Sequence, residues 1–419
     1  MRVRKLKIFG LYDLFDFDVS FEDNETVIHG INGSGKTGIL QVLGWFVTGN
    51  IERLANVEFT QAGLEFEDAG GHLIAYQLVQ DKRSSKVEIY KNQKKIGHYI
   101  RSSRAYGESQ EDEDTLQQWR TELSHSLRAS FIAVSRYGET RFRTRSIIPK
   151  DPYDTAYSRS TRSSLENAVW RAENIFARAQ AAATNQERVV LTKLRNDLIN
   201  RIAEPFSLDD STKTGEWEER LLSVSEKIDQ YSDHGTKLID IDPDALLEAI
   251  VGDDTNKRLA AVAVVQQLER LSGIIGRHFS QVEQIRQRTR SFADALQSFF
   301  GDTYKSVTID ENRATLVFTY GEKSLFPRHF SSGEMEIFIM LTYAAFGEDG
   351  LGPPELLIID EPELSLHTAW QERLLPTIRQ LNPVGQIIIA THSPEIAATS
   401  LDHLVAVAPI NAPAKEGLV

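Results

Sequence analysis

The 419-residue sequence predicts an α/β fold: a mixed sheet around a glycine-rich loop, an antiparallel β lobe beside it, and a helical insertion. Three observations predict this. Gly30-Ile31-Asn32-Gly33-Ser34-Gly35-Lys36-Thr37 sits between a short β run and a helix pattern, whereas Leu356-Leu357-Ile358-Ile359-Asp360-Glu361, a buried-strand pattern ending in two acids, lies near the far end of the chain. Segments around the glycine loop alternate apolar and polar residues, and two long central stretches have helical composition.

In chain order, Phe15, Phe17, Val19 and Phe21 alternate with Asp16, Asp18 and Ser20, the period-two pattern of a half-buried strand. Residues 26–29 form a short strand feeding the glycine loop, and 38–47 the helix after it. Residues 57–66, 73–79 and 86–90 alternate again, as antiparallel strands flanking the loop. Residues 1–146 therefore read as one half of a head. Pro149 and Pro152, among Ser, Thr and Arg, then mark a linker. Residues 165–202 contain neither Gly nor Pro and predict a long helix. A second is predicted over 257–299. In it Val264, Leu268, Leu271, Ile275, His278, Val282, Ile285, Thr289, Phe292, Leu296 and Phe299 alternate by four and three, and nine of the eleven are apolar. That is the seam of a coiled coil or bundle; a helix packed on the head gives the same pattern. Two such helices, each reaching ~60 Å, suggest a short antiparallel arm, without the Cys-x-x-Cys of a zinc hook. The insertion is placed at 147–302. Strand patterns return at 304–309 and 314–320, and 303–419 reads as the other half of the head. The halves must meet, because the glycine loop in one needs the acids in the other.

Composition narrows the function. The apolar share of 41% suffices for a core, and a 26% charged share is ordinary for a soluble protein. No uninterrupted apolar run approaches the ~20 residues that span a bilayer, and the basic start has no apolar stretch behind it, so no signal peptide is read there. Zero cysteines exclude disulfides, thiolate metal sites and a cysteine nucleophile. A cytoplasmic location is expected. A net charge of −13 argues against gripping nucleic acid over the whole surface. Two local basic clusters, Arg136, Arg141, Arg143, Arg145 and Lys150, then Arg277, Arg286, Arg288 and Arg290, fit either ion-paired faces or local contacts. The acidic run 108–114 reads as a loop.

The chemistry concentrates in four motifs. Glycines 30, 33 and 35 let successive N–H groups point into one anion-sized nest, with the positive end of the following helix beneath it. Gly30, Asn32, Gly33, Ser34, Gly35, Lys36 and Thr37 are the candidate ATP-binding residues: Lys36 reaches the β- and γ-phosphates, and Thr37 supplies a hydroxyl to Mg²⁺. Asp360 closes an apolar strand and is the second metal candidate. Glu361 is then the candidate general base that orients and deprotonates water, although adjacent acids at a strand end also fit a helix cap. Ser331, Ser332, Gly333 and Glu334 fit a capping box whose helix N-terminus is aimed at an anion. A last β run over 386–390 delivers Thr391-His392-Ser393-Pro394.

In this order the motifs resemble the ABC-type ATPase head, in which two protomers trap ATP between them. The resemblance covers the two head segments. It implies that Ser331–Glu334 act as the signature on the opposite protomer's γ-phosphate, that 361–367 hold the interface loop, and that His392 is the catalytic switch histidine. Ser332 where many members have glycine, Glu334 where transporters have glutamine, and His367 where aspartate is common are similar to the OLD, SMC and RecF-type ATPases and move the reading away from transport. The Q-loop residue stays open between Gln61 and Arg136. Stand-alone members of the OLD-like group include ATPase subunits of anti-phage systems such as PARIS and Septu. The resemblance therefore implies ATP and Mg²⁺ as cofactors, a homo-oligomer through composite ATP sites, a nuclease or toxin effector in trans, and no membrane, with DNA left open as a partner. OLD nucleases carry a TOPRIM domain after the ATPase; only 28 residues follow Thr391, so a separately encoded effector is expected. The rival is a RecF- or Rad50-like DNA-repair or chromosome-maintenance ATPase clamp that binds DNA.

Overall fold

The structure, a computed structural model, describes every residue except 32, 69, 82–85, 101–118, 120–126, 134–163, 205–213, 230–241, 311–314 and 408–419. The chain divides into two compact units, Met1–Ala179 with Ser291–Val419, and Gln180–Arg290.

Among the described residues, the first unit holds three sheets. The strands β1 (Arg2–Leu11), β2 (Phe15–Ser20), β3 (Glu25–His29), β4 (Gln61–Glu67), β5 (Leu73–Asp81), β6 (Lys86–Lys91), β7 (Lys94–Ile100) and β8 (Ala129–Ala133) precede the insertion. Those after it are β9 (Ser306–Asp310), β10 (Thr315–Tyr320), β11 (Lys323–Leu325), β12 (Leu356–Asp360), β13 (Gln386–Thr391) and β14 (Leu404–Ala406). A six-stranded antiparallel sheet has the order β2-β1-β4-β5-β6-β7; a parallel sheet has the order β14-β3-β13-β12-β8; β11-β10-β9 form a small third sheet. The parallel sheet joins strands from both ends of the chain.

Its core strands are apolar on both faces, as a covered parallel sheet demands. Because side chains alternate along a strand, Ile28, Ile358, Ile388 and Ala390 enter one core with the antiparallel lobe. Val27, Leu357, Ile359, Ile387 and Ile389 enter a second core with the helices.

The helices are α1 (Lys36–Val47), α2 (Ile51–Asn56), α3 (Ser164–Ala203), α4 (Thr214–Asp229), α5 (Pro243–Val251), α6 (Thr255–Phe300), α7 (Ser332–Phe346), α8 (Thr368–Leu381) and α9 (Pro394–Ala398). Helix α7 is buried nearly all round, the composition of a core helix. The insertion is helical among its described residues. Its compact boundary nevertheless falls inside α3 and α6, at 179/180 and 290/291, not at 147 and 302. The reason is packing. Ala168, Val169, Ala172, Ile175 and Phe176 of α3, and Phe292, Leu296, Phe299 and Phe300 of α6, belong to the head's second core.

Within the second unit, Trp217 and Leu221 of α4 pack with Ile250 of α5 and Val262 and Val265 of α6. Leu194 of α3 meets Leu271, Ile274 and Ile275 of α6. The seven-residue pattern thus runs through two packings of α6: against α3 through the middle, and in the head's second core at the end. The polar seam positions are partnered, His278 Nε2 with Asp197 at 3.2 Å and Thr289 with Gln180 Oε1 at 3.1 Å. Val264, the first seam position, is exposed. Among the described residues α6 is the one helix long and apolar enough to cross a membrane by length and composition, and half of its apolar 18-residue window is buried.

Candidate active site

The parallel sheet delivers three loops to one edge. Register pairs Thr391 with His29 and Ala390 with Asp360. The chain thus leaves β3, β13 and β12 side by side at their carboxyl ends, where open α/β sheets bind ligands.

After β3 the glycine loop turns sharply into α1. Gly33 and Gly35 have φ of 81° and 92°, in the left-handed region. A Cβ on Gly35 would stand 2.6 Å from the Phe17 ring, so both backbone and packing require glycine there. The turn puts Lys36 and Thr37 at the start of α1. Asn32 lies outside the described residues.

Lys36 is 3% exposed. Its Nζ donates to Gly30 O at 2.7 Å and Ile31 O at 3.2 Å and lies 3.2 Å from His392 Nδ1. An ammonium has only donors, so Nδ1 is the acceptor and the ring proton belongs on Nε2. Burial lowers the Lys36 pKa below its ordinary value, while the carboxylates of Glu361, Glu363 and Asp360 pull it back up. Thr37 Oγ1 donates to Asp360 Oδ1 at 3.3 Å. These two hard oxygens fit Mg²⁺, which completes its shell with water and phosphate oxygens. Three acids and one lysine also leave the pocket short of the positive charge that a polyphosphate needs, and a divalent cation would supply it.

Glu361 follows Asp360 with φ 53°, and its amide donates to Ala390 O at 2.8 Å. A left-handed non-glycine residue costs on the order of 1 kcal/mol or more, and such strain gathers at functional sites. Two residues on, the Glu363 carboxylate accepts from Thr391 Oγ1 at 2.8 Å and from the His392 amide at 2.5 Å. The structure therefore brings together Lys36, Thr37, Asp360 and His392, with Glu361 at the same edge.

The signature is a separate construction. Ser331 caps α7, its Oγ accepting from Glu334 N at 3.4 Å while its own amide donates to Glu334 Oε2 at 2.8 Å. The sequence reading put Glu334 both in a capping box and among the nucleotide contacts; the structure shows the capping box. Glu334 is 1% exposed, and its other oxygen accepts from Thr303 at 2.8 Å and from Lys305. Burial alone would raise its pKa; the Lys305, Ser331 and Thr303 hydrogen bonds outweigh that and lower it. With both oxygens committed, Glu334 holds the turn together. Thr303 and Lys305 lie about thirty residues away in sequence, so no local pattern could announce them. Gly333 is fitted to the chain itself: a Cβ there would meet Ser365 O at 2.7 Å. Ser331 and Ser332 are exposed and, among the described residues, make no hydrogen bond to Lys36 or Thr37.

Other candidates take plain structural places. Gln61 opens β4, paired with Phe9 and Val79. His367 caps α8, its Nδ1 accepting from Ala369 N at 3.3 Å. Arg136, the rest of the first basic cluster and the acidic run 108–114 lie outside the described residues. In the second cluster Arg286 pairs with Glu187 at 3.1 Å and Arg290 with Glu283 at 2.5 Å, the ion-paired alternative. Sequence reasoning placed Glu363 only within the 361–367 interface loop and gave it no role of its own; its one local signal is being a third acid in Asp360-Glu361-Pro362-Glu363.

The family described as "AAA domain, putative AbiEii toxin, Type IV TA system" matches residues 26–398, from the strand before the glycine loop through the histidine loop. The chain belongs to this AAA family. Membership in this ATPase family agrees with the resemblance drawn from the motifs. Over 52 residues the chain is 40% identical to the Septu protein PtuA of Bacillus thuringiensis, a match spanning 12% of this chain and 13% of that relative. Among solved structures, the Smc head domain with an extended coiled coil bound to the C-terminal domain of ScpA, from Pyrococcus furiosus, aligns over 95% of this chain and 91% of its own at 13% identity and a TM-score of 0.44. The SMC head domain from Thermotoga maritima aligns over 98% and 100% at 13% identity and a TM-score of 0.42.

Proposed function

We propose that this chain is an ATP-binding and ATP-hydrolysing sensor or scaffold subunit of a bacterial anti-phage defence system, cytoplasmic, assembling through its ATP sites and acting with a separately encoded nuclease or toxin. One observation carries the ATPase reading: Thr37 meets Asp360, and Lys36 meets His392, across more than 320 residues of sequence. The defence role rests on the family and on the short match to a Septu protein.

In this reading the glycine-loop amides and Lys36 hold the β- and γ-phosphates. Thr37 and Asp360 would hold Mg²⁺, which neutralises charge on the phosphates. Glu361 orients water and accepts its proton. His392 Nε2–H is a donor for the γ-phosphate. The exposed Ser331 and Ser332 at the buried helix α7 offer a hydroxyl and amide end to a nucleotide held by a second copy.

Lys36→Ala should abolish equilibrium ATP binding and, in cells carrying the full system, protection against phage. Unchanged nucleotide affinity would sink the ATP-site reading. Lost hydrolysis with intact protection would sink the coupling of ATP turnover to defence.

A further inference from the structure

We propose that Glu363 is a positioning residue: its carboxylate ties the loop after β13 to the loop after β12, and so holds His392 beside Lys36 and Glu361. The proposal rests on the ATPase reading above.

Glu363 spends both oxygens on consecutive residues of the histidine loop, one on the Thr391 hydroxyl at 2.8 Å and one on the His392 amide at 2.5 Å. Hydrogen bonds to an ionised carboxylate are roughly twice as strong as neutral ones. The direction of the chain of bonds is fixed. Because the Thr391 hydroxyl donates to Glu363, its lone pair is free to accept from Ser393 N, at 2.9 Å. Residues 391, 392 and 393 are thus all secured by one carboxylate, directly or through one hydroxyl. A second brace joins the same two loops. Ser393 Oγ donates to Gln371 Oε1 at 2.7 Å, and Gln371 Nε2 donates to Leu366 O at 2.8 Å. Glu363 and Glu361 therefore divide the work. An acceptor already facing an N–H and an O–H is poorly placed to take a proton from water, whereas Glu361, turned off the strand end by its positive φ, makes no such side-chain bond among the described residues.

Removing Glu363 leaves a fully buried threonine hydroxyl and a backbone amide without their acceptor, and the histidine loop loses its direct anchor. Groups that act through an active residue are commonly worth about 10–100-fold in activity. Steady-state hydrolysis and equilibrium ATP binding are measured for the full chain carrying Glu363→Ala, Glu363→Gln, Thr391→Val, His392→Ala and the Glu363→Ala/His392→Ala pair. Glu363→Ala should lower kcat about 10–100-fold and leave ATP affinity nearly unchanged. Glu363→Gln, which keeps one acceptor, should recover part of the rate. In the His392→Ala background, Glu363→Ala should add almost nothing, because its effect passes through that histidine. Multiplying effects would overturn the proposal, as would wild-type turnover in Glu363→Ala or a parallel loss of ATP affinity. Should Glu363→Ala fail to fold, Thr391→Val carries the same test, since it removes one donor and keeps the shape. A wild-type chain without Lys36-dependent hydrolysis would defeat the ATPase reading itself; Lys36-dependent hydrolysis indifferent to Glu363 would defeat this inference alone.

Discussion

Glu336, on the signature helix α7, offers a prediction with a worked magnitude. It is 4% exposed, its carboxyl is hydrogen-bonded by the Ser365 hydroxyl, and its Oε2 has no hydrogen-bond partner among the described residues. Burial pushes its pKa from an ordinary 4.5 up to about 7, against the opposing pull of Ser365. At ~1.4 kcal/mol for each pH unit, that displacement costs the folded state about 3 kcal/mol once the group is ionised. The sign follows from proton counting. Between 4.5 and about 7 the folded chain keeps a proton that the unfolded chain has released. Stability is therefore lost as pH rises across that window, and the loss is complete above it. Glu336→Gln cannot titrate. Its stability relative to wild type should rise by about 3 kcal/mol across the window, read by urea unfolding of the unit that carries α7 at a series of pH values. The buried amide adds a roughly constant offset of ~1–3 kcal/mol from its unpaired N–H, so the change with pH is the test. Parallel pH profiles for the two proteins would refute the burial argument.

Further predictions concern the nucleotide loop and the candidate base. Gly35→Ala should abolish ATP binding and cost at least ~1–2 kcal/mol of stability, because it combines φ 92° with a methyl 2.6 Å from Phe17. Gly33→Ala, with nothing within 4 Å of its Cβ, should be milder; equal losses in thermal midpoint would refute the packing account. Glu361→Gln should bind ATP and Mg²⁺ normally and turn over at least ~100-fold more slowly; hydrolysis at the wild-type rate would remove Glu361 as the base.

Much of the site was legible because each motif is contiguous and its neighbours announce it. A strand feeds Gly30, a helix leaves Lys36, and an apolar run ends at Asp360. The long helices were legible as well, observed over Ser164–Ala203 and Thr255–Phe300 against 165–202 and 257–299, since each carries an unbroken helical composition. The strand β1 was not. Register shifts between Val3 and Lys5 and between Ile8 and Leu11 put its buried residues at 3, 6, 8 and 11, which breaks the period of two. The edge strand β7 has no buried residue to mark it. Helix α4 had a readable stripe, Trp217, Leu221, Val224 and Ile228, all buried, which the sequence reading leaves unassigned. The place of β13 between β3 and β12, the bonds of Glu334 to Thr303 and Lys305, and the role of Glu363 depend on partners distant in sequence, where local pattern carries no information. Glu334 shows both cases: its capping box with Ser331 was legible locally, its bonds to Thr303 and Lys305 were not.

The central claim is that a single ATP is shared, with Lys36 and Thr37 from one copy and Ser331 and Ser332 from another. The most direct test is ATP hydrolysis by an equal mixture of Lys36→Ala and Ser331→Arg chains, each of which should be inactive alone. In a mixed dimer one site carries both lesions and the other carries neither, so the mixture should regain a fraction of wild-type activity. A mixture that stays inactive while mixed dimers demonstrably form would contradict the claim, and so would full activity in the Ser331→Arg chain alone, which would leave Ser331 as only the cap of its helix.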